Sequence, residues 1–269
     1  MTHAFPPGGL PDQNQNPEST AVFNGSYAVI PASVQRDIVT SLLPGWKGMR
    51  MWVLARPLSG FAETFSQYAV ELGPSGGTEN PEPDEEAQSV LFVAEGGVTL
   101  NIDGARHTLA EGGYAYLPPG SVWTIWNDGD AVARFHWIRK RYQPAEGVAV
   151  PEAFVTSDRD VAPTPMPDCG GAWATTRFVD PADLRHDMHV NIVTFQPGGR
   201  IPFAETHVME HGLYVLQGSA DYLLNRDWVP VGPGDFMWLR AFCPQACIAR
   251  GDVPFRYLLY KDVNRHMPL

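Results

Sequence analysis

Residues 213–245, LYVLQGSADYLLNRDWVPVGPGDFMWLRAFCPQ, read as strand, glycine turn, strand, tight turn, strand, glycine and an aromatic strand. Residues 91–123, LFVAEGGVTLNIDGARHTLAEGGYAYLPPGSVW, repeat that order at nearly the same spacing. Gly96 stands where Gly218 does, and Gly112–Tyr116 where Gly234–Trp238 does. In both stretches apolar and polar residues alternate with period two between turn residues, the mark of half-buried antiparallel strands. Asp103-Gly104 supplies the turn of one hairpin. A repeat of about 122 residues is too long for a solenoid unit, so it predicts one β-barrel domain duplicated and fused.

Working outward, the same alternation marks YAVIP, MRMWVLARP, FSQYAVEL and ARFHWIRKRY in the first half, and HVNIVTFQP and FRYLLYKDV in the second. One short helix is predicted near Val34–Leu43. The spacing predicts a polar arm over 1–27, a first barrel over 28–145, a Pro-rich linker over 146–172 and a second barrel over 173–269. The composition agrees with an all-β chain: 26 Gly and 25 Pro for turns, and 44% hydrophobic residues for a core. A net charge of -11 argues against nucleic acid or an anionic membrane as partner, because no electrostatic term favours phosphate. No apolar run reaches the length of a membrane span. The opening residues lack the basic-then-apolar order of a secretory leader. Three Cys with no secretory context read as small buried hydrophobes in a reducing, cytoplasmic setting.

The second half carries a candidate metal constellation. Gly199 is followed by five residues, then Glu205-Thr206-His207, three more, His211, and six more before Gly218. Two apart in an extended strand, Glu205 and His207 share a face. Gln245 stands 34 residues after His211, on a later strand. This pattern resembles the cupin family, small jelly-roll barrels whose first motif supplies two His and a carboxylate and whose second supplies a third His. Here Glu205 and His211 exchange places within the first motif, and Gln245 replaces the last His. Carboxylate, imidazole and amide donors without thiolate suit Mn²⁺, Fe²⁺ or Zn²⁺ and leave positions for substrate or water. The first half departs from the pattern. Its matching region, EPDEEAQS, has no His, and Trp123, which cannot ligate, takes the second-motif His position. The expected result is two tandem cupin barrels, a bicupin, with one metal ion per chain in the second barrel. The first would be metal-free, with a structural or oligomerising role, and the acidic run Glu79–Glu86 a solvated loop.

A sharper likeness lies in ARPLSGFAETFSQY (residues 55–68), GGYAYLPPGS, THVMEHGLYVL, GDFMWLRAFCPQAC and YLLYKDVNRH, together with the ligand order Glu, His, His, Gln. From about Ala28 to His266 the chain resembles the (S)-ureidoglycine aminohydrolases, manganese bicupins of allantoin degradation in purine catabolism. The resemblance implies hydrolysis of (S)-2-ureidoglycine to (S)-ureidoglycolate and ammonia. It implies Mn²⁺ on Glu205, His207, His211 and Gln245, and substrate contacts from Glu205, Gln245, Tyr257 and Lys261. It also implies a homo-oligomer, an octamer in family members. Catalytic roles fall to Glu205, Lys261 and Tyr257. In FRYLLYKDV, alternation puts Tyr257, Leu259 and Lys261 on one face and leaves open whether that face points inward. The resemblance favours inward, where the ammonium needs an anionic partner such as a substrate carboxylate. Tyr222 is a weaker pocket candidate, His136 reads as core, and His186 and His189 have no further ligand at metal spacing. Two rival functions fit the same residues. One is an Fe(II)-dependent bicupin dioxygenase, since two His and a carboxylate also describe that site. The other is a non-catalytic ligand-binding bicupin.

Overall fold

The structure, a computed structural model, describes residues 20–35, 43–262 and 265. Apart from two short 3₁₀ turns, its regular structure there is all strand. The helix predicted near Val34–Leu43 lies almost wholly outside the described residues; a 3₁₀ turn spans Ala32–Val34. The chain forms two compact units, described separately.

The first unit, residues 43–54 and 65–160 among those described, is built on a nine-stranded antiparallel sheet. Ala133–Arg141 sits near its middle, between Ser66–Thr78 and Ala87–Glu95. Alternate residues of these strands point into an interior filled with aromatic rings. The Trp137 ring meets Trp46, Tyr68 and Trp123 at centroid distances of 5.8, 5.5 and 5.9 Å.

The second unit comprises residues 20–35, 55–64, 161–262 and 265 among those described. It holds an eight-stranded sheet and a three-stranded one of Asp227–Val231, Ser219–Leu224 and Gln245–Arg250. One apolar cluster draws side chains from both sheets, among them Phe195, Leu213, Val215, Tyr222, Leu224, Cys247 and Phe255. Cys243 and Cys247 are buried in it as free thiols. The repeated glycines have a steric cause. Gly218 turns at φ 71°, and a Cβ there would lie 2.4 Å from the Pro254 carbonyl oxygen. At Gly96, φ is 72° and the Val132 carbonyl oxygen would be 3.1 Å away.

Three boundaries read from the sequence need correction. Residues 22–30 belong neither to a loose arm nor to the first barrel. Val22–Phe23 and Tyr27–Ile30 pair with each other, and the latter extends the second unit's sheet along Phe236–Leu239. The buried YAV stretch thereby covers an otherwise open strand edge. Tyr27 Oη fastens it by donating to Asp227 at 2.8 Å. Residues 55–64, inside the expected first barrel, belong to the second unit. The Pro-rich stretch 146–172 is divided. Phe154–Ser157 pairs with Gly113–Leu117 in the first unit, and Thr164–Pro165 with Trp173–Arg177 in the second.

Candidate metal and substrate site

The second unit gathers the polar candidates at one end of its apolar interior. Glu205 and Gln245 form an antiparallel bridge: Glu205 N–H donates to the Gln245 carbonyl at 2.9 Å, and Gln245 N–H to the Glu205 carbonyl at 2.8 Å. Their side chains meet, Gln245 Nε2 lying 3.4 Å from Glu205 Oε1. His207 Nε2 is 3.3 Å from the same oxygen. The His207 and His211 rings follow at 4.9 Å between centroids. The four candidate ligands therefore adjoin. Among the described residues no three His, Cys, Asp or Glu side chains are already drawn together as around an ion; Gln245 Nε2 instead donates to Glu205 Oε1, and His207 lies against that same oxygen.

The donor set nonetheless fits a metal. His211 is buried, and its Nδ1 lies 2.9 Å from the Glu210 carbonyl oxygen. Donation there puts the imidazole lone pair on Nε2, the tautomer a ligand needs. Burial, with the neighbouring His207 and Lys261, pulls the His211 pKa down to about 3, so the ring stays neutral. Tyr222 Oη donates to Gln245 Oε1 at 2.9 Å, which orients the amide and leaves the oxygen a second lone pair. Tyr222, first read as more core than pocket, is buried and also holds Gln245.

The register of the sheet decides which way Lys261 faces. Phe255 and Tyr257 lie in the apolar interior and Leu259 packs against it, so Lys261, two further on, shares that face. Lys261 stands opposite His211 on one neighbouring strand and His189 on the other. Tyr257 Oη lies 3.5 Å from Tyr222 Oη. Burial raises the Tyr257 phenol well above its ordinary value, so it remains a neutral hydrogen-bond donor. A cleft of about 640 Å³, lined by Met166, Cys169, Trp173, Arg200, Phe203 and Glu205, opens onto the carboxylate.

Two features were missed in the sequence. Arg177, which belongs to no recognisable motif, and His189, weighed only as a lone metal ligand, join Lys261 on the inner face. Of the stretch 55–68, conspicuous as a word, the part in this unit fixes Glu210, the residue before His211. Glu63 N–H and Thr64 N–H donate to the buried Glu210 carboxylate at 2.9 and 2.5 Å, and Trp238 Nε1 donates to it at 2.7 Å. Phe61 packs on Trp238. Glu210 is thus held at its side chain while its carbonyl faces His211. The acidic run of the first unit also needs correction. Its Glu82 is not solvated; the side chain is 6% exposed and paired with Arg139. His136, read as core, is 3% exposed but lies on the strand face opposite Phe135 and Trp137, outside the apolar cluster those two belong to.

The cupin-domain model matches residues 68–139 and 191–260, one copy in each half. Over 252 residues the chain is 31% identical to the (S)-ureidoglycine aminohydrolase of Escherichia coli strain K12, covering 92% of each. It is 31% identical over 250 residues to the (S)-ureidoglycine aminohydrolase of Arabidopsis thaliana, covering 91% of this chain and 78% of that one. A solved structure of a glyoxylate-induced protein from Pseudomonas aeruginosa superposes with a TM-score of 0.91 at 61% identity, over 100% of this chain and 98% of that one. A salicylate 1,2-dioxygenase from Pseudaminobacter salicylatoxidans superposes with a TM-score of 0.66 at 16% identity, covering 95% and 88%, a likeness of fold alone. With both barrels matched and over nine-tenths of the chain aligned, the chain is a bicupin belonging to the (S)-ureidoglycine aminohydrolase family.

Proposed function

We propose that this chain hydrolyses (S)-2-ureidoglycine to (S)-ureidoglycolate and ammonia, using Mn²⁺ held by Glu205, His207, His211 and Gln245. What supports the reading is that Glu205 lies against His207 and Gln245, that Tyr222 links Gln245 to Tyr257, and that Lys261 stands opposite His211. When bound, the ion supplies Lewis-acid polarisation of an oxygen or nitrogen ligand.

The α-carbon of the substrate bears an amine, a ureido group, a carboxylate and a hydrogen. Its bond to the amine nitrogen breaks and a bond to a water oxygen forms, with no change of oxidation state. The leaving amine gains a proton and the entering water loses one. Such a carbon sheds ammonia readily, so the protein's main task is to control the face that water enters. Lys261 holds the carboxylate as a point charge. Tyr257, kept protonated by burial, donates a hydrogen bond. Glu205 is the carboxylate beside both the ligands and the cleft, and it carries the proton between water and amine. The first barrel acts as a metal-free partner domain within a cytoplasmic homo-oligomer.

The test is ammonia release from (S)-ureidoglycine generated in situ from allantoate by an amidohydrolase. Glu205→Gln keeps an oxygen ligand but cannot carry a proton, so kcat should fall roughly 10²- to 10⁴-fold with manganese retained. An inert wild-type protein would end the reading. A Glu205→Gln protein that holds manganese and turns over normally would move the proton to another group.

A further inference from the structure

We propose that Arg177 and Lys261 together seat the substrate carboxylate, Arg177 supplying the second bond that one ammonium cannot. This rests on the reaction assigned above. Trp173 lies in the apolar interior and Thr175 follows it inward, so Arg177 at the strand's end faces the same space. Arg177 stands opposite Asn191, which puts it diagonal to His189, the residue opposite Lys261. Diagonal neighbours on a sheet are about 7–8 Å apart, within reach of an arginine side chain. The two positive charges feel each other: burial and the Arg177 guanidinium both work against the Lys261 ammonium. Among the described residues neither has a carboxylate partner, and the groups that act on Lys261 include no acid. Two half-buried cations held together without an anion are unfavourable unless a ligand brings one.

The first barrel shows what the missing anion looks like. Arg139 lies opposite Ser89 as Lys261 lies opposite His211, at the matching place in the repeat. It grips the buried Glu82 with two donors, Nε to one carboxylate oxygen and Nη2 to the other. The chain thus completes in the first barrel, from its own residues, the cation–carboxylate pair that the second leaves for a ligand. A lysine offers a point charge and cannot fork across both oxygens, whereas a guanidinium beside it can take the second.

The experiment compares two stable probes binding to the manganese-loaded protein by calorimetry. Ureidoacetate keeps the carboxylate and ureido group of the substrate; ureidoacetamide replaces the carboxylate by a neutral amide. Wild-type protein should prefer ureidoacetate. Arg177→Met should weaken ureidoacetate roughly 10- to 100-fold, the loss of one charge-assisted bond, and leave ureidoacetamide unchanged. Arg177→Lys should restore most of the preference, and it keeps the test open if the Met protein does not fold. In turnover, Arg177→Met should raise KM by a similar factor with kcat little changed. Ureidoacetate binding unaltered in Arg177→Met, equal weakening of both probes, or no preference in the wild type would each overturn the seat. A wild-type protein that prefers ureidoacetate but releases no ammonia from ureidoglycine would instead refute the reaction and leave the two-cation seat standing.

Discussion

The two barrels share a strand plan and differ in what fills the mouth. In the first, Trp123 occupies the place of Gln245, Phe135 that of Tyr257, and Arg139 that of Lys261. Trp123 packs edge-on against Trp137, and Arg139 lies over the same ring at 5.1 Å while bonded to Glu82. In the second, the same end holds Glu205, His207, His211, Gln245 and two phenols that bond one another. At this end the first barrel pairs its arginine with a carboxylate of its own and fills the remaining space with aromatic rings. The other keeps a carboxylate, imidazoles and cations for something brought from outside.

The largest expected effect tests that division directly. Chelation, or His211→Ala, should remove about one ion per chain and cut ammonia release by at least roughly 10³-fold, because the remaining donors no longer close a site. The fold should persist, since the second barrel's core is apolar and independent of the ligands. Elemental analysis of the wild type reads the comparison itself: two ions per chain would mean that the first barrel is not a scaffold.

A smaller effect exchanges the two cations' roles. Arg139→Met leaves the Glu82 carboxylate buried without its partner, a loss of about 3 kcal/mol. At this chain length that is roughly 6–12 °C in melting temperature. Lys261→Met removes a cation that has no carboxylate partner among the described residues, so stability should change by less than about 1 kcal/mol while substrate binding suffers. Equal thermal losses in the two variants would show that Lys261 has an internal partner after all.

Much of this difference was legible in the residues. The repeated glycines gave away the duplication; at Gly96 and Gly218 a side chain would press on backbone. Trp123 in place of Gln245 was visible in the residues as the point where the two halves part. What stayed hidden depends on pairing across long stretches of chain. Tyr27–Ile30 looks like any short strand, and only its register with Phe236–Leu239 assigns it to the second barrel. Residues 55–68 stand out as a word, but their work is done by backbone N–H groups of Glu63 and Thr64, which carry no side-chain signature. Arg177 sits in an ordinary strand, and only three strands laid side by side bring it toward Lys261. Glu82 was lost among neighbouring acids because nothing local distinguishes the one residue that turns inward.

The smallest expected effect concerns a residue outside the site. His136 lies on the Ala133–Arg141 strand opposite Phe92 and Ala69; its counterpart in the second barrel is Leu258, opposite Tyr214 and Ile192. Burial lowers the His136 pKa to about 3. An unfolded chain binds that proton below about pH 6.5, and the folded one does not until about pH 3. The full stability is therefore present above pH 6.5. It declines by roughly 1.4 kcal/mol per pH unit as the pH falls through this window, and the decline ends near the folded value. His136→Leu installs the second barrel's residue and removes the proton. Between pH 6.5 and 5.5 the variant should lose roughly 1 kcal/mol less than the wild type, about 2–4 °C in melting temperature. It should not become insensitive to acid, because burial also holds His189 of the second barrel at about 4. Identical pH slopes for the two proteins would mean that His136 takes up its proton while the first barrel is still folded.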